Sequence, residues 1–147
     1  MIIMKKILKV LLCLHMIVLV FSCKTIQVPS KKAQWKSIYI NQFKLTYFRK
    51  VLLKSYNNSK AIKEIIDLDH SGFTEPVLTT DDYKLIDSLV EAENEKMKVD
   101  SIEGDRRAEG AQGKRPFQFI LKTLEDRSLE KLAKSRFKKA GLLDKLK

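Results

Sequence analysis

Tyr39, Phe43, Tyr47 and Val51 recur every fourth residue, and Trp35, Ile38, Phe48 and Leu52 widen the stripe they draw. That period belongs to an α-helix from Ala33 to about Tyr56. An apolar sector this broad needs cover on several sides, which places the segment at the centre of a helical bundle. The aromatic residues read as core. Basic residues are not regularly interleaved with them, as a base-stacking surface would require.

Shorter helical patterns fill the rest of the chain. Asn57-Asn58-Ser59 breaks the first period, and a helix is predicted from Lys60 to about Asp69 with Ala61, Ile62, Ile65 and Ile66 inward. Gly72 and Pro76 prevent its continuation. Thr79-Thr80-Asp81-Asp82 opens a third helix, its hydroxyls capping and its carboxylates facing the positive end of the dipole. That helix is expected to reach about Ile102, with Leu85, Ile86, Leu89, Val90 and Met97 inward and the charged Glu91–Lys98 stretch solvated. Glu103 to Arg115 holds three glycines and no large apolar residue, so it reads as a long surface loop. Pro116 starts a fourth helix with Phe117, Ile120, Leu121 and Leu124 inward. Ser128 caps a fifth, burying Leu129, Leu132, Ala133 and Phe137; Gly141 ends it, leaving Leu142, Leu143 and Leu146 beyond. With no strand pair and no internal repeat, residues 33–147 are expected to form an all-α, compact bundle of about five helices.

The N-terminus reads as an address. Lys5, Lys6 and Lys9 lead into an apolar run from Ile7 to Phe21 that only Lys9 and His15 interrupt. This is the layout of a secretory signal and is too short for a comfortable membrane span. Val20-Phe21-Ser22-Cys23 resembles the bacterial lipoprotein box, in the looser form of Bacteroidetes-like lipoproteins that admits a bulky residue such as Phe21. The resemblance implies removal of residues 1–22, lipidation of Cys23 and a lipidated tether over 23–32. Acyl chains contribute about 0.8 kcal/mol per buried methylene, so a multi-acylated cysteine is a firm membrane anchor. Lys24-Thr25-Ile26-Gln27 lacks the acidic pair associated with surface export in such lipoproteins, which favours a domain facing the periplasm.

Composition then narrows the chemistry. Of two cysteines, Cys13 lies in the signal and Cys23 takes the lipid, so the body of the protein has no thiol and is held by core packing rather than disulfides. His70 is its only histidine. A Cys-His nucleophilic site is thereby excluded and a zinc site of His and Cys ligands nearly so; neither enzymatic activity nor a cofactor is expected. Asp67-Leu68-Asp69-His70-Ser71-Gly72 opens like a calcium loop, but Thr74 and Leu78 stand where an aliphatic residue and a bidentate glutamate belong, so it reads as a helix exit and turn. The net charge is +11, and the signal carries three lysines and no acid, leaving +8 on residues 23–147. No basic run joins an aromatic platform, so nucleic acid is not an expected partner. Lys24, Lys31 and Lys32 suit anionic head groups near the anchor. Lys131, Lys134, Arg136, Lys138 and Lys139 share one helix, a solvated face that also fits phospholipid or an acidic partner.

Taken in order, a long aromatic helix, the turn Asp69-His70-Ser71-Gly72-Phe73, a helix behind an acidic cap, a Gly-bearing loop and the terminal Ser128-Leu129-Glu130-Lys131-Leu132-Ala133 resemble the immunity proteins that neutralise type VI secretion amidase effectors. The likeness covers about Trp35 to Lys139. It departs from the family at Leu121 and Lys122, where a cysteine is often found, and in carrying a lipid anchor. The resemblance implies a small helical periplasmic protein, usually a homodimer, that binds a peptidoglycan-cleaving amidase as cognate partner and blocks its cleft. Trp35 or Tyr39 could serve a dimer contact, although both fit the monomer core as well. On this reading Glu103–Arg115 covers the toxin's cleft. Glu103, Asp105 or Glu109 would pair with a protonated catalytic histidine, and Arg106, Arg107 and Arg115 would grip carboxylates on the rim. The alternative is an accessory envelope lipoprotein with a structural or protein-binding role.

Overall fold

The computed structural model describes residues 29–107 and 113–141, the side chains of 105–107 excepted. The signal peptide, Cys23, most of the tether, Glu109 and Leu142, Leu143 and Leu146 lie outside the described residues. The fold is all-α: α1 Lys31–Ser55, α2 Lys60–Leu68, α3 Thr80–Arg107, α4 Pro116–Glu125 and α5 Ser128–Lys139. Among the described residues, no helix is long and apolar enough to cross a membrane.

The aromatic helix is the axis of the bundle, and all four other helices pack on it. Tyr39 and Phe43 have no exposed surface and Val51 almost none. The Ser30 hydroxyl accepts the Ala33 amide at 3.3 Å, so α1 begins at Lys31 and takes in the last two residues of the predicted tether. At the other end, Asn57 and Asn58 adopt φ of 53° and 54°, a left-handed conformation that asparagine tolerates better than most residues.

α3 runs parallel to α1: Lys50 pairs with Asp87 and, one turn on, Lys54 with Glu91. Parallel neighbours need a crossover, which α2 and residues 69–79 supply. Arg49 clamps it, donating at 2.9 Å to the Asp69 carbonyl, the Asp69 carboxylate and the Ser71 carbonyl. Asp69 also accepts the Ser71 amide at 3.0 Å, closing the helix exit and turn read from the sequence. Gly72 has φ +105°, and a Cβ there would stand 2.8 Å from both Gln42 Oε1 and Leu45 Cδ2. The positive φ favours glycine, and a Cβ would also have to displace the ends of those two side chains. Phe73 then packs edge-on against Trp35, 5.7 Å between ring centres.

α4 and α5 return antiparallel to α1, with Tyr47 beside Thr123 and Leu129, and Tyr39 against Phe137 at 5.3 Å. Ser128 does not cap α5 as expected. It is the helix's first residue, and Asp126 accepts its amide at 2.7 Å after Arg127 turns the chain at φ 55°. Gly141, at φ 59°, follows the last turn.

Two expectations need correction. α2 buries none of its residues: Ile62 and Ile66 are half-buried, Ala61 is exposed, and Ile65 is 62% exposed. The periodicity marks an apolar face but cannot say whether a neighbour covers it, and α1 is already enclosed by α3, α4 and α5. In α4 only Ile120 of the four predicted inward residues is buried; Phe117, Leu121 and Leu124 are exposed. Pro116 and Ile120 face α1, with Phe119 and Thr123 half-buried beside them, which turns the other apolar edge of this short helix outward. Of the two aromatics left between core and dimer contact, Tyr39 is wholly buried in the core and Trp35 is half-buried on Phe73.

Candidate partner-binding surface

The bundle has two unlike ends. At the end where α1 begins, Asp82 is completely buried and forms a reciprocal cap with Thr79: the carboxylate accepts the Thr79 amide at 2.9 Å and its hydroxyl at 2.8 Å. Arg136 of α5 donates to the other carboxylate oxygen at 2.8 Å, fastening the last turns of α5 to the first turn of α3. Burial pushes the Asp82 carboxyl up, but the Thr79 amide, the Arg136 guanidinium and the Thr79 hydroxyl outweigh it and hold it below the usual range. The Tyr39 hydroxyl lies in the same pocket without a well-formed hydrogen bond, and burial beside Asp82 raises its pKa. This cluster is structural: its carboxylate is fully buried and its charges are matched.

The far end is built differently. Ser55 Oγ meets Met97 Sδ at 3.6 Å, so α3 draws level with the end of α1 there and continues to Arg107, about 15 Å further at helical rise. The predicted Glu103–Arg115 loop is therefore shorter than expected. Glu103, Gly104, Asp105, Arg106 and Arg107 belong to the last turns of α3. Asp81 and Asp82 at its start and alternating charges along it suit a long solvated helix, and Gly104 does not interrupt it. Residues 108–112 lie outside the described residues, as do the side chains of Asp105, Arg106 and Arg107. Glu103 is exposed.

The descending strand of this connection is fixed. Gly113, at φ +103°, gives its amide to Ser101 Oγ at 2.9 Å. Lys114 reaches inward to the Ser55 carbonyl at 3.2 Å and the Asn94 amide oxygen at 3.0 Å. An ammonium is thus placed on the negative end of α1, and it satisfies a nearly buried asparagine. Arg115 is spread over Asp100, with Nε at 3.1 Å and the terminal nitrogen at 2.5 Å. Of the residues proposed to grip a partner, Arg115 already has an intramolecular carboxylate.

Both helices joined by this turn carry exposed apolar side chains. Val99 and Ile102, one turn apart on α3, are 55% and 63% exposed; Phe117 and Leu121, successive on the outer face of α4, are 57% and 58% exposed. Sequence reasoning missed these four as surface residues. The available signal was that apolar positions in α4 cover more of its circumference than one neighbour can hide. Elsewhere, Tyr47, Glu93, Lys96, Thr123 and Asp126 line an interhelical cleft of about 250 Å³. There burial pushes the Tyr47 hydroxyl up to about 12, and Glu93 is held by Lys96 at 2.8 Å. Its tyrosine is no base at neutral pH. Among the described residues there is no group of three or more His, Cys, Asp or Glu placed to hold a metal ion.

Comparison with protein-family models, curated proteins and solved structures gave no match.

Proposed function

We propose that this protein is a lipid-anchored immunity protein of the cell envelope, which binds a peptidoglycan-cleaving amidase toxin of a type VI secretion system and blocks it sterically. The observation that carries the reading is the far end of the bundle. A turn locked by Lys114 and Arg115 joins two helices that carry exposed apolar residues, Val99 and Ile102 on α3 and Phe117 and Leu121 on α4. A rigid charged turn between helices that expose apolar side chains suits protein binding: apolar groups supply burial and fixed polar groups supply register. Glu103 and the outer residues of the connection then meet the toxin's cleft, and Arg115 contributes by holding the turn to Asp100.

The test is co-purification of the acylated protein with a small secreted cysteine amidase encoded beside it, followed by a stem-peptide cleavage assay. Loss of cleavage at stoichiometric immunity protein is the expected result. Full cleavage in its presence rejects the reading.

A further inference from the structure

The end opposite that surface carries a concentration of lysines that the immunity reading does not use. Lys31, Lys32 and Lys36 lie on the first two turns of α1, and Lys138 and Lys139 on the last turn of α5. The Tyr39–Phe137 and Asp82–Arg136 contacts bring these turns together with the start of α3, which adds Lys84. Among the described residues none of these six lysines is in an ion pair. Exposed Glu75, Asp81 and Asp87 are the carboxylates near Lys84 in the chain, Asp87 being paired with Lys50. Glu130, paired with Lys134, lines the same surface pocket as Lys36. Seven residues separate Lys31 from Cys23, so Lys31 cannot stand more than about 29 Å from a lipidated cysteine even when the link is fully extended.

We propose that this basic end docks on the anionic phospholipid head groups of the membrane holding the Cys23 lipid. The proposal rests on the lipid-anchor part of the proposed function. Its physical basis is charge complementarity at close range: each basic residue near an anionic leaflet adds attraction that fades within a Debye length, and the short link lets this end reach that distance. Docking in this pose stands α1 upright and carries the Val99–Leu121 surface to the side away from the bilayer.

Trp35, the only tryptophan, sits on the docking end and is a built-in probe. The purified, acylated protein is reconstituted into phosphatidylcholine vesicles with and without about 30% phosphatidylglycerol, each carrying a trace of dansyl head group. Energy transfer from Trp35 is expected to be roughly twofold or more higher on the anionic vesicles, and to fall to the neutral-vesicle level in about 0.5 M salt. Replacing Lys31, Lys32, Lys36, Lys138 and Lys139 with Gln should remove the difference while leaving the protein vesicle-bound. Equal transfer on both vesicle types at low salt overturns the docking but leaves the anchor intact. A mass spectrum of the exported protein without acyl chains overturns the anchor, and this proposal with it.

Discussion

Each end of the bundle holds an arginine on an aspartate, and the two pairs differ in every respect that decides energy. Asp82 is completely buried, and its partner Arg136 is 24% exposed; Asp100 and Arg115 retain 22% and 43% of their side-chain exposure. The first pair joins α5 to α3 across 54 positions of sequence, whereas the second closes a turn over 15. One end is therefore a sealed joint between helices that meet late in the chain, and the other is a trimmed surface. The contrast teaches that the two ends are closed differently: a fully buried carboxylate holds the end where α1 begins, and a partly exposed one holds the turn at the far end.

The largest expected effect comes from breaking that contrast directly. Arg136→Ala strands a buried carboxylate, and loss of one partner of a buried pair costs about 3–5 kcal/mol. Arg115→Ala acts on an exposed pair and should cost less than about 1 kcal/mol. Urea unfolding of the two variants side by side is the measurement; equal midpoints would mean the two ends are not differently built. Tyr39→Phe sharpens the point, because it removes a buried hydroxyl that lacks a well-formed bond and should leave the midpoint unchanged or higher.

Next in size is the contrast within α4, between its buried and exposed edges. Ile120→Ala should cost about 2–4 kcal/mol, as for other large-to-small changes in a core. Leu121→Ser, one position on, should stay within about 0.5 kcal/mol. Function should invert that order. Phe117→Ser with Leu121→Ser should weaken amidase inhibition by about tenfold or more if this face meets the toxin, since interface anchors of this size cost over 1 kcal/mol each. Undiminished inhibition would remove α4 from the binding surface.

The same contrast explains what the sequence could disclose. The centre of the bundle was legible because the stripe from Tyr39 to Val51 is long and its period unambiguous, and all four residues are buried. Element order was legible from Asn57-Asn58, Gly72, Pro116 and Gly141, each of which punctuates the chain by backbone chemistry. The outer faces were not. Ile65 and Leu121 carry the same local signal as Ile120, and only the number of neighbours around α1 decides which of them is covered. The candidate surface was legible in part. Its position near Glu103–Arg115 follows from glycine content, but five of those residues extend α3, and the inward reach of Lys114 has no sequence signature. A lysine beside a glycine reads as solvated, yet this one caps a helix 59 residues away.

Two glycines give a smaller test of the same idea. Both need positive φ, but a Cβ at Gly72 collides with α1, whereas one at Gly113 meets nothing within 4 Å. Gly72→Ala combines backbone strain with displacement of Gln42 and Leu45 and should cost about 2–3 kcal/mol; Gly113→Ala carries the backbone part alone, about 1 kcal/mol. Similar losses would show that the crossover relaxes away from α1 without penalty.

The smallest effects are those of pH, and they too separate buried from exposed. Asp69, exposed at the crossover, is lowered to about 2, first by the Ser71 hydroxyl and then by Arg49, while Asp82 is held low against burial by Thr79 and Arg136. A carboxyl lowered on folding stabilises above its unfolded pKa of about 3.9 and loses that contribution as pH falls through the folded value. Stability should therefore decline from about pH 4 downward. Asp69→Asn removes only the part set by a solvent-screened pair, so it should barely flatten this acid limb; an Asp82→Asn chain that still folds should flatten it far more. On the alkaline side the sign reverses. Tyr47 is raised to about 12, so its contribution is complete below its unfolded value near 10 and disappears as pH climbs toward 12. Tyr47→Phe should flatten that limb. If Asp69→Asn and Asp82→Asn flatten the acid limb equally, the buried Asp82 joint does not set the acid stability of the fold.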